Sequence, residues 1–322
     1  MRRRSPLALL AALAIIGIPA MTAPVGATGP AASRHDQIVA FWTPARLRSA
    51  IPRDFVRSGG GFVPKARPGG GSGTGASWTK GGAILKGSGK VYFVMGSSAY
   101  VCSGSVATDS RSGKSLVLTA GHCAYDETAR AFATNWLFIP EFDSAPTFTC
   151  ANTAYGCWTA EALVVHRGFA TAGGFNTQAT VHDFAFAVVG GGGKSGSAQL
   201  DATVGSFPIS FSGTSAGATL YAFGYPAAGK YHGNDLVYCT GAIFTDSLND
   251  DLTWGMPCGM TGGSSGGPWL KSFNEATGSG TLNSLNSYGY SGIKNMYGPK
   301  FNSNTQAVYN AADGATANTI VN

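Results

Sequence analysis

Residues 262–268 read Gly262-Gly263-Ser264-Ser265-Gly266-Gly267-Pro268. A serine hydroxyl is a weak nucleophile until a neighbouring base takes its proton, and the carbonyl it attacks becomes an oxyanion that needs fixed N–H donors. Glycines on both sides of Ser265 let the backbone turn sharply enough for several amides to converge on one point. Gly/Ser clusters are also ordinary loop sequence, so the stretch acquires chemical meaning only with a base and an acid elsewhere in the chain.

Two further stretches offer those groups. Leu118-Thr119-Ala120-Gly121-His122-Cys123 ends an apolar run with a histidine beside a cysteine. An imidazole titrates near neutral pH, as general-base work requires; the competing reading is a structural histidine at a strand end. His182-Asp183-Phe184-Ala185-Phe186-Ala187-Val188-Val189 opens an apolar run with an acid. A carboxylate there can orient an imidazole and stabilise its charged form; the competing reading is a turn aspartate before a strand. Successive strand residues face opposite ways, so His182 and Asp183 are not expected to be partners.

Around these stretches, short strand-like runs alternate with turn residues at 90–95, 100–107, 115–120, 136–140, 162–166 and 183–189. The second half adds 218–223, 236–244, 268–271 and 282–290, with a short helix at 306–312. No long amphipathic helix and no fixed-period repeat intervenes. The 47 glycines among 322 residues fit many tight turns, and 44% hydrophobic against 12% charged residues provides for a sizeable core. Many short strands without helical crossovers mean antiparallel barrels or a sandwich, and composition alone does not choose between them.

The front of the chain is different. Arg2, Arg3 and Arg4, the apolar run 7–18 and the small residues Val25-Gly26-Ala27 make 1–27 a secretory signal peptide, and the run is short for a membrane anchor. The reading is therefore of a secreted, extracellular protein, with no membrane association after the signal is removed. Six cysteines suit an oxidising compartment; proximity in sequence pairs Cys102–Cys123, Cys150–Cys157 and Cys239–Cys258. No CxxC pair supports a metal cluster, and no cofactor or metal site is legible.

The formal charge of +6 is unevenly placed. Residues 28–80 hold eight Lys/Arg against two acids, whereas 81–322 hold eleven against fourteen. The basic surplus sits ahead of the strand-rich region, which argues against a nucleic-acid partner and for a basic leader docking on a mildly acidic body. Within it, Phe41-Trp42-Thr43-Pro44, Leu47, Ile51 and Phe55 form one apolar cluster, Thr43 is placed to cap a short helix beginning at Pro44, and 58–76 has the composition of a flexible linker. The segment 28–80 reads as a pro-segment, a docking element followed by a cleavable tether; a spacer with no partner is the alternative.

Together the three stretches resemble the signatures of trypsin-like serine peptidases, in that family's chain order of His, Asp and Ser. The likeness covers roughly 85–320; Gly224-Tyr225-Pro226 and the Gly-Gly-Ser-Ser tetrad look closer to the V8-like, glutamyl endopeptidase-like bacterial branch than to the digestive enzymes. The Phe-Trp-Thr-Pro run is also similar to pro-segments of secreted actinobacterial peptidases. The resemblance implies an all-β domain over 81–322, two packed six-stranded antiparallel barrels with a short C-terminal helix. It implies a serine endopeptidase acting on proteins or peptides, with His122, Asp183 and Ser265 as triad. The amides of Gly263 and Ser265 would form the oxyanion hole, and Ser287, Tyr288 and Gly289 the strand that pairs with substrate and walls the specificity pocket. A monomer is the default state.

Two departures from the family pattern carry consequences. Digestive members hold an aspartate before the nucleophile, which pairs with the new N-terminus on activation; here Ser264 has no charge to offer, so release of a blocking pro-segment is expected to replace that switch. Glutamate-preferring relatives hold histidine and threonine where this chain has Asn286 and Met260, and Gly259 stands where trypsin has an acid. An unpaired charge entering a dry pocket is costly, so an uncharged residue is expected before the scissile bond. The competing functions are a catalytically inactive binding protein of the same fold, a cell-envelope β-sandwich using aromatics such as Trp254, Tyr288 and Tyr290, and an esterase. The intact His, Asp and Ser with their glycines oppose the first, the absence of any repeat the second, and the lack of a strand–turn–helix context the third.

Overall fold

The computed structural model describes residues 32–58, 61–64, 75–142, 149–227 and 229–322. The signal peptide read over 1–27 and much of the glycine-rich linker lie outside the described residues.

The first half of the body forms β1 (Ser88–Met95), β2 (Ser98–Ala107), β3 (Ser115–Thr119), β4 (Thr134–Pro140), β5 (Trp158–His166) and β6 (Ala185–Val189). They pair antiparallel in the order β2-β1-β4-β5-β6-β3, and β3 pairs back onto β2, closing a barrel of six strands. Alternation along each strand fills the barrel: Val91, Phe93, Phe138, Trp158 and Phe186 are buried in one core. The outward residues Tyr92, Val101, Leu137 and Ile139 are buried too, because Ile38, Trp42 and Leu47 of the leading segment pack on them. Trp42 Nε1 donates to the Asn135 carbonyl at 2.6 Å. Docking of that segment is thus mainly apolar, with charge adding one buried ion pair described below.

The second half forms β7 (Thr219–Gly224), β8 (Val237–Ala242), β9 (Thr253–Pro257), β10 (Pro268–Asn274), β11 (Ser279–Leu285), β12 (Tyr288–Tyr290) and β13 (Asn295–Pro299). One sheet runs β11-β10-β7-β8 and the other β9-β13-β12. With β11 and β12 as one bent strand, six strands enclose Leu220, Ala222, Met256, Trp269 and Met296. The architecture is the chymotrypsin-like double barrel. Disulfides join Cys102 to Cys123, Cys150 to Cys157 and Cys239 to Cys258. The C-terminal helix spans Ser303–Gly314.

Three sequence expectations shift. The run read at 282–290 breaks between Leu285 and Tyr288, where Asn286 leaves the ladder. The strand read from residue 183 begins at Ala185. The leading segment has more structure than one capped turn. Helix Pro44–Ser49 is present, with Thr43 Oγ1 accepting from Arg46 N, and helix Arg34–Phe41 precedes it behind a Ser33/Asp36 capping box. Short strands Ile51–Pro52 and Phe55–Ser58 follow.

Candidate active site

His122 sits on a single 3-10 turn, Gly121–Cys123, that leaves the end of β3, and the Cys102–Cys123 disulfide ties this turn to β2. Asp183 lies just ahead of β6, the neighbour of β3, so the two side chains meet across a sheet pair. Its carboxylate grips His122 twice: Oδ1 accepts from the backbone amide and Oδ2 meets Nδ1, both at 2.8 Å. Ser287 Oγ donates to the same Oδ2 at 2.5 Å. Both His122 and Asp183 have no exposed surface. A carboxylate on Nδ1 fixes the imidazole orientation and leaves Nε2 to work. Nε2 is buried and has no hydrogen-bond partner among the described residues.

Ser265 lies in the loop before β10. Barrel one holds that loop closely: Ser103 N donates to the Ser265 carbonyl at 2.7 Å, and Ser103 Oγ to the Gly263 carbonyl at 2.8 Å. Gly266 adopts φ +81°, and a Cβ there would fall 2.3 Å from Thr119 Oγ1 and 2.4 Å from the Ser103 carbonyl oxygen. Only glycine lets the Ser265 loop approach the first barrel this tightly. Gly263 adopts φ +94°, which turns its amide into the cleft.

The cleft is occupied by the chain's own leading segment. Asp54 Oδ1 accepts from Ser265 Oγ at 2.9 Å and from Gly263 N at 3.3 Å. The Phe55 ring stands edge-on to the His122 imidazole and stacks on Phe175 with centroids 4.0 Å apart. Arg53 Nη1 donates to the His122 carbonyl at 2.5 Å. Three consecutive residues therefore touch both His122 and Ser265, and three residues span at most about 10 Å. The segment runs parallel to its partners on both sides of Ser265: Ile51–Pro52 along Tyr100 and Val101 of β2, and Phe55–Arg57 along β12.

Solved structures carry the same arrangement of chain. The crystal structure of protease Anisep from Arthrobacter nicotinovorans is 37% identical, covering 72% of this chain and 97% of that one, with a TM-score of 0.62. Thermostable serine protease AL20 from an extremophilic microorganism is 36% identical over 72% of this chain and 99% of that one, also at TM-score 0.62. This chain belongs to the trypsin-like serine peptidases. A Glu endopeptidase, 19% identical over 76% of this chain and 97% of that one at TM-score 0.55, shares the fold. No protein-family model and no curated protein matches the chain.

In this trypsin-like peptidase a cavity of about 530 Å³ adjoins Ser265, lined by Met260, Ser287, Tyr288, Gly289 and Met296, with Asp54 and Phe55 closing its near side. Tyr288 is pinned from behind: its hydroxyl donates to Asp246 Oδ2 at 2.6 Å, and Tyr290 donates to the same oxygen at 2.7 Å. Burial, then the hydrogen bond to Asp246, pushes both phenols far above the usual tyrosine range, so they stay neutral donors. Asn286, expected in that wall, is not there. It is fully buried and accepts from Trp269 Nε1 at 2.7 Å, while its Nδ2 donates to the carbonyls of Phe223 and Ser264. Asn286 thus braces the loop that carries Ser265. Asp54, Arg53 and Glu127 carried no signal in sequence, because their partners lie far along the chain.

Proposed function

We propose that the processed chain is a secreted serine endopeptidase that forms an acyl-enzyme on Ser265 and is made as a preproenzyme. The observation that carries this is the grip of one buried carboxylate on both Nδ1 and the amide of His122, in the same cleft as the Ser265 hydroxyl. His122 Nε2 takes the Ser265 proton as Oγ bonds to the peptide carbonyl carbon. The carbonyl oxygen then rests on the amides of Gly263 and Ser265. His122 returns the proton to the leaving amine, and water repeats the cycle to free the acyl group. Removing one oxyanion donor in such sites costs roughly 100- to 1000-fold in rate.

The peptide residue before the scissile bond is uncharged in this reading. Met260 and Met296 flank the cavity, and Lys294 stands exposed at its rim. Profiling the processed enzyme against a quenched-fluorescence peptide library tests both statements: cleavage after uncharged residues is expected. Absence of peptide hydrolysis contradicts the function, and dominance of Glu or Arg before the cut contradicts the pocket reading.

The leading segment is the inhibitor in the unprocessed chain. Asp54 brings a side-chain carboxylate, not a scissile carbonyl, to Ser265 and to the Gly263 amide, so Ser265 faces acid where it needs an amide. For catalysis Oγ must leave Asp54 and turn to His122 Nε2. The boundary set at Lys80 moves forward, since Ala76–Ser77 pairs with β8 and Trp78 is buried against Phe223, Tyr238 and Phe273. Cleavage therefore falls before Gly75. In purified uncut protein, Asp54→Ala should raise the rate of Ser265 acylation by a small active ester about 10- to 100-fold, the worth of hydrogen bonds to a charged group. Wild-type uncut protein as reactive as processed enzyme would refute inhibition.

A further inference from the structure

We propose that Glu127, with Asp126 beside it, forms a subsite on the leaving-group side of the cleft that takes an arginine or lysine side chain of the peptide substrate. In the unprocessed chain Arg53 holds that place. The inference rests on the peptidase reading above and adds a substrate class to it.

The site is buried and built for a cation. The Arg53 side chain enters it with 9% of the residue exposed, and Glu127 is 1% exposed. Arg53 Nη2 donates to Glu127 Oε2 at 3.2 Å and lies 3.9 Å from Asp126 Oδ1; Nη1 donates to the His122 carbonyl. Asp126 Oδ1 is held in turn by the amides of Thr128 and Ala129. Among the described residues the Glu127 carboxylate has Arg53 as its hydrogen-bond and ion-pair partner. A carboxylate and a carbonyl that converge on one point accept from a forked guanidinium or an ammonium and offer nothing to an acid.

Its position assigns it to the leaving group. Phe55–Arg57 lies along β12, which walls the pocket on the acyl side, and Ile51–Pro52 lies along β2 on the far side of Ser265. Arg53 sits between Asp54 at the nucleophile and that far strand. Once residues 51–57 depart, the Glu127 carboxylate loses the countercharge it has among the described residues. An unpaired charge in such a site is costly, and a cationic substrate side chain restores the pairing.

The test uses processed enzyme and quenched peptides that share one uncharged acyl half. They carry Arg, Lys, norleucine or Glu at the first or second residue beyond the scissile bond. A charge-assisted hydrogen bond makes kcat/KM about 10- to 100-fold higher for Arg than for norleucine at one of these positions. In Glu127→Gln the Arg-to-norleucine ratio falls towards one. Equal rates for Arg, norleucine and Glu at both positions in wild-type enzyme overturn the proposal, whether or not the variant folds. A ratio undiminished in Glu127→Gln overturns the assignment to Glu127. Failure to cleave any peptide, with Ser265 inert to fluorophosphonate, instead removes the peptidase reading and this proposal with it.

Discussion

Ser265→Ala in the processed enzyme is expected to lower kcat about a million-fold, with KM nearly unchanged. The loss is large because His122, Asp183 and Ser265 act as a unit. Without Oγ no acyl-enzyme forms, and the base that Asp183 holds in place has no proton to take. In the proposed reading peptide binding rests on β12 and the cavity around Met260, where the change removes a single hydroxyl at the edge. Ser265 is buried at the base of the cleft and its backbone is fixed by Ser103, so loss of the hydroxyl leaves the loop in place. Active-site titration together with peptide turnover measures the effect. A variant within tenfold of wild type would mean that another group carries the reaction.

Asp183→Asn is expected to cost about 10,000-fold in kcat. Asp183 accepts three hydrogen bonds: from the His122 amide, from the His122 ring and from Ser287 Oγ. An asparagine side chain has one acceptor oxygen. If that oxygen keeps the backbone amide, its NH₂ faces His122 Nδ1, which must then be the unprotonated nitrogen. Nε2 then carries the hydrogen and cannot accept the Ser265 proton. The geometry survives and the tautomer is wrong. The rate should be low across neutral pH and KM little altered; a variant losing only a few-fold would contradict the role given to Asp183.

The meeting of His122 with Asp183 was legible in the sequence, and so was the glycine-flanked turn of Ser265. His122, Asp183 and Ser265 each sit at the edge of an apolar strand or in a glycine turn, and local patterns of that kind survive in a linear reading. The first barrel was legible for the same reason, its strands carrying short apolar runs at 91–95, 116–118, 136–139, 162–165 and 185–189. The strands Thr253–Pro257 and Asn295–Pro299 were not, since Trp254-Gly255-Met256-Pro257 and Tyr297-Gly298-Pro299 carry turn residues. Tertiary packing overrides that preference: a Cβ on Gly255 would fall 2.4 Å from the Phe244 ring, so the glycine makes room for an aromatic neighbour. Asn286 was misplaced because sequence alignment by motif sets position but not direction. Residues 51–57 were read as the end of the apolar docking cluster and not as strands, because their strand partners lie at Tyr100, Val101 and Tyr288–Tyr290, and pairing at such separation leaves no local period. Ser33 and Asp36, by contrast, spell a capping box, a signal the sequence did contain for the helix Arg34–Phe41.

The most direct measurement is the intact mass, followed by peptide mapping, of processed enzyme treated with a fluorophosphonate. One adduct per molecule, located on Ser265 and absent from His122→Ala, is the result this account predicts. Full peptidase activity in protein that takes up no label, or a label mapped to any other serine, would contradict it.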